Sequence, residues 1–331
     1  MIINKFIAVY YLFLFFSFAI GLLGAGAGLR AISGWGSADT HEKRYHLEKL
    51  LYLCTSAIFL GIVLRIVMIP LWFLMLDSLI PLIPGAMCMA GAHLNVPVYS
   101  WLASSMKVIL PLIYFTWIII SRVDRRLVEQ PFLKFRHFLL VPLILLILAE
   151  TFLDLKYLFS LKVRSVTCCA ALFDYNTGNI SKVFTENHWY FVIIFGIFLL
   201  LQAVMLLIAK RKRNGYAITA VLAGGLFVTL ILGLHTKLSP LILDTPFHHC
   251  IFCLLESNLF VLSGFLSLLL GIYLSFSFGL VGFWGNGSAN YEKIHPYLKK
   301  IKSISLLVYA GGFILLLVPT LQHLSLLEGG S

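Results

Sequence analysis

Apolar residues along this chain gather into eight long runs, at about 6–29, 49–76, 102–121, 138–160, 188–209, 217–234, 257–284 and 304–323, parted by short polar stretches. Each run is about 18 residues or longer, the length a helix needs to cross about 30 Å of hydrocarbon. None has the short alternating pattern of an outer-membrane strand. The pattern predicts an all-α fold, a polytopic integral membrane helical bundle with about eight transmembrane helices that make residues 1–331 a single transmembrane domain.

Composition narrows the function classes. Of the 331 residues, 60% are apolar and 12% are charged, against about 25% charged in a soluble domain. That excludes a soluble enzyme and a nucleic-acid-binding module, so the net charge of +11 reads first as membrane topology. Seventeen of the 25 Lys and Arg residues fall in alternate loops, among them Arg30, Lys43 and Arg44, then Arg122, Arg125 and Arg126, then Lys210 to Arg213, then Lys299 and Lys300. The positive-inside rule makes these loops cytoplasmic and places both termini on the outer, exoplasmic side. The expected location is a prokaryotic inner (cytoplasmic) membrane. Residues 1–31 loosely imitate a signal peptide, with Lys5, an apolar stretch and the small residues Gly24-Ala25-Gly26-Ala27-Gly28. Retaining them as a span keeps every later loop consistent with the charge rule, and Gly24/Gly28 at four-residue spacing suits close helix packing.

Topology then sorts the six cysteines. Cys54 falls near the inner end of the second span and reads as a packed apolar residue. Cys88, Cys168, Cys169, Cys250 and Cys253 all fall on the outer loops 77–101, 161–187 and 235–256, in a compartment that supports disulfides. The segment Thr245-Pro246-Phe247-His248-His249-Cys250-Ile251-Phe252-Cys253 predicts a helix starting at Pro246 with Thr245 as its N-cap. It would place a C-x-x-C pair at i, i+3 near a helix N-terminus, beside two imidazoles, where thiolates are favoured; residues 246–256 would lie along the interface. Cys168 and Cys169 are adjacent and suit different partners or one soft metal better than a bond to each other. The first outer loop carries Met87, Cys88, Met89 and His93 in an apolar, Pro- and Gly-broken stretch that reads as a partly inserted cap. Two structural disulfides among these cysteines would still leave one thiol over, because five is odd.

Four ionisable residues fall inside spans, where charge is costly and points to function. Arg65 and Glu150 fall at similar depth near the midplane, and Lys107 and Asp154 at similar depth nearer the outer face. Two buried ion pairs are expected, either fixing the packing or forming a proton path or a polar wall for a quinone headgroup.

Three function classes follow. The first is a membrane thiol–disulfide oxidoreductase, in which Cys250 and Cys253 form the dithiol, Cys168, Cys169 or Cys88 exchange with an exoplasmic thiol protein, and a membrane quinone takes or gives electrons near Arg65, Lys107, Glu150 and Asp154. In arrangement only, this resembles the disulfide-forming membrane proteins of the DsbB and vitamin K epoxide reductase type, which place a C-x-x-C at the outer end of a helix near quinone and further cysteines in an outer loop. Eight spans instead of about four, and adjacent loop cysteines, depart from that pattern. The second class is an outer-face protein that binds copper or another soft metal, or passes it to a metal carrier. Met87, Cys88, Met89, His93, Cys168, Cys169, His248, His249, Cys250 and Cys253 supply the thiolate, thioether and imidazole ligands that such ions take. No row of such residues crosses the bilayer, so surface binding fits better than translocation. The third class is a membrane anchor subunit of a larger complex. In every case the lipid bilayer is a partner and nucleic acid is not.

Overall fold

The computed structural model describes residues 5–35, 40–125, 139–162, 165–166, 189–208, 213–245, 248–286 and 291–329. Among the described residues every regular element is helical and there is no strand. Each of the eight apolar runs falls mainly on helix, and among the described residues seven helices are long and apolar enough to cross a membrane. The remaining run, the 21-residue helix Leu140–Ser160, is of spanning length but carries Glu150, Asp154 and Lys156.

The chain divides into two compact units, residues 1–84 with 92–165, and residues 85–91 with 166–331. The first contains α1 (Lys5–Trp35), α2 (His41–Leu79), α4 (Pro97–Asp124) and α5 (Leu140–Ser160); the short α3 (Met89–Asn95) contributes its last residues. A 3-10 turn, Ile80–Leu82, ends α2. Close approach of α1 and α2 explains Gly24 and Gly28 of α1. A Cβ on Gly28 would stand 2.7 Å from Cys54 Sγ, and one on Gly24 3.0 Å from the Ile58 side chain. Cys54 itself is fully buried, within a cluster that includes Ile58, Ile62, Leu110, Tyr114, Trp117 and Leu143. Both sequence expectations for this contact therefore hold.

The second unit contains α6 (Trp189–Ile208), α7 (Arg213–Gly233), α8 (Ser239–Ile242), α9 (Ile251–Ser257), α10 (Leu259–Gly285) and α11 (Tyr291–Gly329). A π-helical turn, Leu234–Leu238, joins α7 to α8, so helix continues into the segment expected to be loop from 235. Small residues again set the packing. A Cβ on Gly264 would stand 2.9 Å from Leu316 Cγ, one on Gly312 2.9 Å from Leu268 Cγ, and one on Gly282 would fall on the Tyr216 ring. Small residues allow such close approach where lipid offers no hydrophobic drive to helix association.

The helix expected over 246–256 is not continuous, because His248 to Cys250 are not helical. Cys250 is the residue before α9, with φ −85° and ψ 112°, and the helix starts at Ile251; Pro246 and Phe247 lie outside the described residues. Thr245 does not act as an N-cap: its carbonyl accepts the His248 N–H at 3.0 Å, and its own N–H donates to the Pro240 carbonyl at 3.2 Å. Asp244 has φ 53°, the left-handed conformation that short polar side chains tolerate. A turn therefore precedes Cys250. The helix that follows has only seven residues, so the expected dipole at the C-x-x-C is small.

Candidate functional site

Residues 85–91 and α9 build the site in the second unit. Gly85 has φ 86°, and a Cβ there would collide with the Val166 carbonyl oxygen, so no other residue fits. Six residues on, a Cβ at Gly91 would stand 2.7 Å from Ala86 Cα, and the Gly91 N–H donates to the Cys88 carbonyl at 2.9 Å. This tight turn carries Cys88. The Met89 N–H donates to Glu256 Oε1 on α9 at 3.3 Å, tying the turn to the helix. The Ser239 hydroxyl, at the start of α8, bonds the carbonyls of Cys250 at 3.1 Å and His248 at 3.3 Å. Cys250 is thus held from its backbone while its thiol turns inward.

The result is a group of three thiols. The sulfurs of Cys88, Cys250 and Cys253 all lie within 4.8 Å of one another. Cys88 and Cys250 are 4.0 Å apart and buried, packed with Ala90 and flanked by Phe252; Cys253 is partly exposed. None of the three is joined in a disulfide. One ion at a metal–sulfur distance of about 2.3 Å sets its sulfurs about 3.8 Å apart in a tetrahedron and about 4.0 Å apart in a trigonal plane. The arrangement therefore accepts a thiolate-bound metal with small adjustments, and Cys250 and Cys253, at i, i+3, also lie close enough for thiol exchange.

The other residues singled out in the sequence are distributed differently. Cys168 and Cys169 lie outside the described residues; Val166, two positions earlier, packs against Gly85. His249 is buried beside Cys250, but its Nδ1–H donates to the His235 carbonyl at 3.1 Å, within the π-helical turn. His248 is half-buried, and Met87 is exposed. Met89 is buried, and its part in the site is the backbone bond to Glu256. His93 belongs to the first unit, where its ring stacks on Trp101 at 4.6 Å.

The first unit holds a buried ionic cluster. Arg65 pairs with Glu150 at 3.1 Å and Lys107 pairs with Asp154 at 2.9 Å, the two pairings that depth matching predicted. Lys107 also bridges to Glu150 at 3.0 Å, so the pairs form one neutral quartet. Tyr10 donates to Asp154 Oδ2 at 2.6 Å, Tyr114 to Glu150 Oε2 at 3.0 Å, and Arg65 to Thr151 Oγ1 at 2.5 Å. Lys107 Nζ also lies over the Trp72 ring at 4.8 Å. Sequence reading missed Tyr10, Trp72, Tyr114 and Thr151. Their hydroxyls and indole are ordinary in an apolar span, and only the i, i+4 spacing of Glu150 and Asp154 on one helix hinted at a shared polar face.

No family model matches the chain, and neither a curated protein nor a solved structure matches it.

Proposed function

We propose that this is an integral membrane protein that binds a soft, thiophilic metal ion, Cu(I) above all, at Cys88, Cys250 and Cys253. The observation that carries the reading is the convergence of three sulfurs within 4.8 Å of one another, two of them buried. Thiolate ligands select Cu(I) and related ions. Structural zinc is almost always four-coordinate, and only these three Cys, His, Asp or Glu side chains converge among the described residues. The protein's role is then to hold the ion and deliver it to a carrier, because the spans offer no succession of soft ligands across the bilayer.

The chain in this reading crosses the membrane eight times. Helix α5 makes the eighth crossing, its Glu150 and Asp154 neutralised by Arg65 and Lys107. The basic loops face the cytoplasm, both termini and the thiol centre face outward, and the membrane is a prokaryotic inner membrane; the charge alternation supports this arrangement.

The test is anaerobic loading of the detergent-purified protein with Cu(I) against a competing chelator, followed by metal quantification. The expected result is one retained ion per chain, lost in Cys88→Ser and in Cys250→Ser. Retention of the full amount by both variants refutes the proposal. A second reading, thiol–disulfide exchange with a quinone as electron partner, is favoured by the partial exposure of Cys253 beside buried Cys250. It predicts that acid-trapped membranes contain a Cys250–Cys253 disulfide in differential alkylation, whereas the metal reading predicts free thiols that copper protects from alkylation.

A further inference from the structure

In the first unit, a cleft among α1, α2 and α5 is lined by Phe18, Gly21, Ile62, Arg65, Ile147 and Leu148. We propose that it binds the neutral carbonyl end of an apolar, membrane-soluble molecule such as a quinone, with Arg65 as the hydrogen-bond donor. This is independent of the thiol centre.

The donor is the first observation. Arg65 is 1% exposed. Its two terminal nitrogens bond Glu150 and Thr151, but its Nε is buried with no hydrogen-bond partner. A buried guanidinium donor without an acceptor is costly, and a ligand acceptor removes that cost. The other polar side chain of the cleft, Ser17, already donates to the Leu14 carbonyl at 3.0 Å.

Charge selects the ligand class. Arg65 and Lys107 are balanced by Glu150 and Asp154, so an incoming carboxylate or phosphate would add an uncompensated charge in a low-dielectric site. A ketone or quinone oxygen accepts the hydrogen bond and adds none. Depth agrees: Arg65 lies 11 residues inside the nearer end of the apolar run 49–76, about 16 Å along the axis at 1.5 Å per residue, which in a hydrocarbon core of about 30 Å is close to the midplane and away from lipid headgroups.

Size fixes how the ligand sits. The open space is about 20 Å³, enough for one polar group of water size and too small for a ring. The carbonyl enters while the apolar body lies against the flank of the bundle, where Leu22 and Leu148, both on the cleft, are 46% and 37% exposed. Among the residues expected to wall a quinone site, Lys107, Glu150 and Asp154 are occupied with one another; Arg65 alone lines the cleft. Gly21 supplies a clean probe of the space, because a Cβ there would meet nothing within 4 Å.

The experiment is photolabelling of the full chain in lipid nanodiscs with an octyl-substituted benzophenone, itself an apolar ketone, and mapping of the labelled peptides. We expect saturable labelling on segments 17–22 and 143–148, displaced by a decyl-benzoquinone and not by decanoate. Gly21→Leu, which fills the cleft, and Arg65→Lys, which removes Nε and keeps the charge, should each reduce it at least tenfold. Non-saturable labelling spread over all lipid-facing helices, labelling unchanged in Gly21→Leu, or equal displacement by decanoate would overturn the proposal. Gly21→Leu does not touch the ionic cluster, so it decides the question even where Arg65→Lys fails to fold.

Discussion

Replacing Lys107 with methionine tests the ionic cluster most directly. The side chain is fully buried and donates to Glu150 Oε1 at 3.0 Å and to both oxygens of Asp154 at 2.9 Å. Methionine keeps much of the volume and removes the charge. Glu150 Oε2 retains Arg65 and Tyr114, and Asp154 Oδ2 retains Tyr10, but Glu150 Oε1 and Asp154 Oδ1 lose their donor. Each orphaned buried acceptor costs about 1–3 kcal/mol, so the two together cost about 2–6 kcal/mol. That brackets the roughly 3–5 kcal/mol measured when one partner of a buried ion pair is removed. At about 1.4 kcal/mol per decade, a loss of 3–5 kcal/mol raises the unfolded fraction by about two to four orders of magnitude. Restoring neutrality with Lys107→Met plus Asp154→Leu leaves the Arg65–Glu150 pair intact and removes the unpaired buried Asp154 charge, at the cost of the Tyr10 hydrogen bond. The double variant should therefore regain at least about 1 kcal/mol relative to Lys107→Met alone, a coupling well within the range for contacting residues. The assay is reversible denaturant unfolding in mixed micelles, followed by helix signal. Wild-type stability in Lys107→Met, or a double variant weaker than the single one by the full Asp154→Leu effect, would show that these charges are not coupled as the structure has them.

Further outcomes are expected elsewhere. Gly85→Ala must adopt the left-handed conformation, at about 1–2 kcal/mol, and also displace the Val166 carbonyl; retained Cu(I) should fall sharply while the helical signal is kept. Copper at one hundred times its dissociation constant should stabilise the wild type by about 2.7 kcal/mol, read as a rise in Tm that chelator reverses and Cys250→Ser lacks. Gly28→Val overpacks the contact with Cys54 and should cost about 1–3 kcal/mol, with partial recovery when Cys54→Ala is added. Cys54→Ala alone should leave copper stoichiometry unchanged, because Cys54 packs between α1 and α2 and is not one of the three converging sulfurs.

The ionic cluster and the thiol centre were legible to different degrees. Arg65, Glu150, Lys107 and Asp154 announce themselves because a charge inside an apolar run has few reasons to be there, and counting along each run matches their depths. Lys107 bridging both carboxylates was not legible, since depth orders residues along a helix axis and says nothing of its rotation. In the outer loops the cysteines were visible as a set, but not which of them meet. Cys88 and Cys250 are separated by 162 positions, and their approach depends on Gly85 and on Glu256 tying the 85–91 turn to α9. His93 and Met87 looked equally suited as ligands, and one stacks on Trp101 while the other is exposed.

Hydropathy and length alone determined that the chain forms helices long and apolar enough to cross a membrane, the form that suits a bilayer because backbone polar groups in hydrocarbon must be satisfied within the segment. The alternation of basic loops and the placement of cysteines relative to the runs were likewise set by the linear order of residues. The helix start at Ile251, the union of two ion pairs into one quartet, the three converging sulfurs and the unpartnered Nε of Arg65 were decided only by tertiary structure. Each depends on helix rotation, on close approach at glycines and on hydrogen bonds between residues far apart in the chain, none of which a one-dimensional pattern specifies.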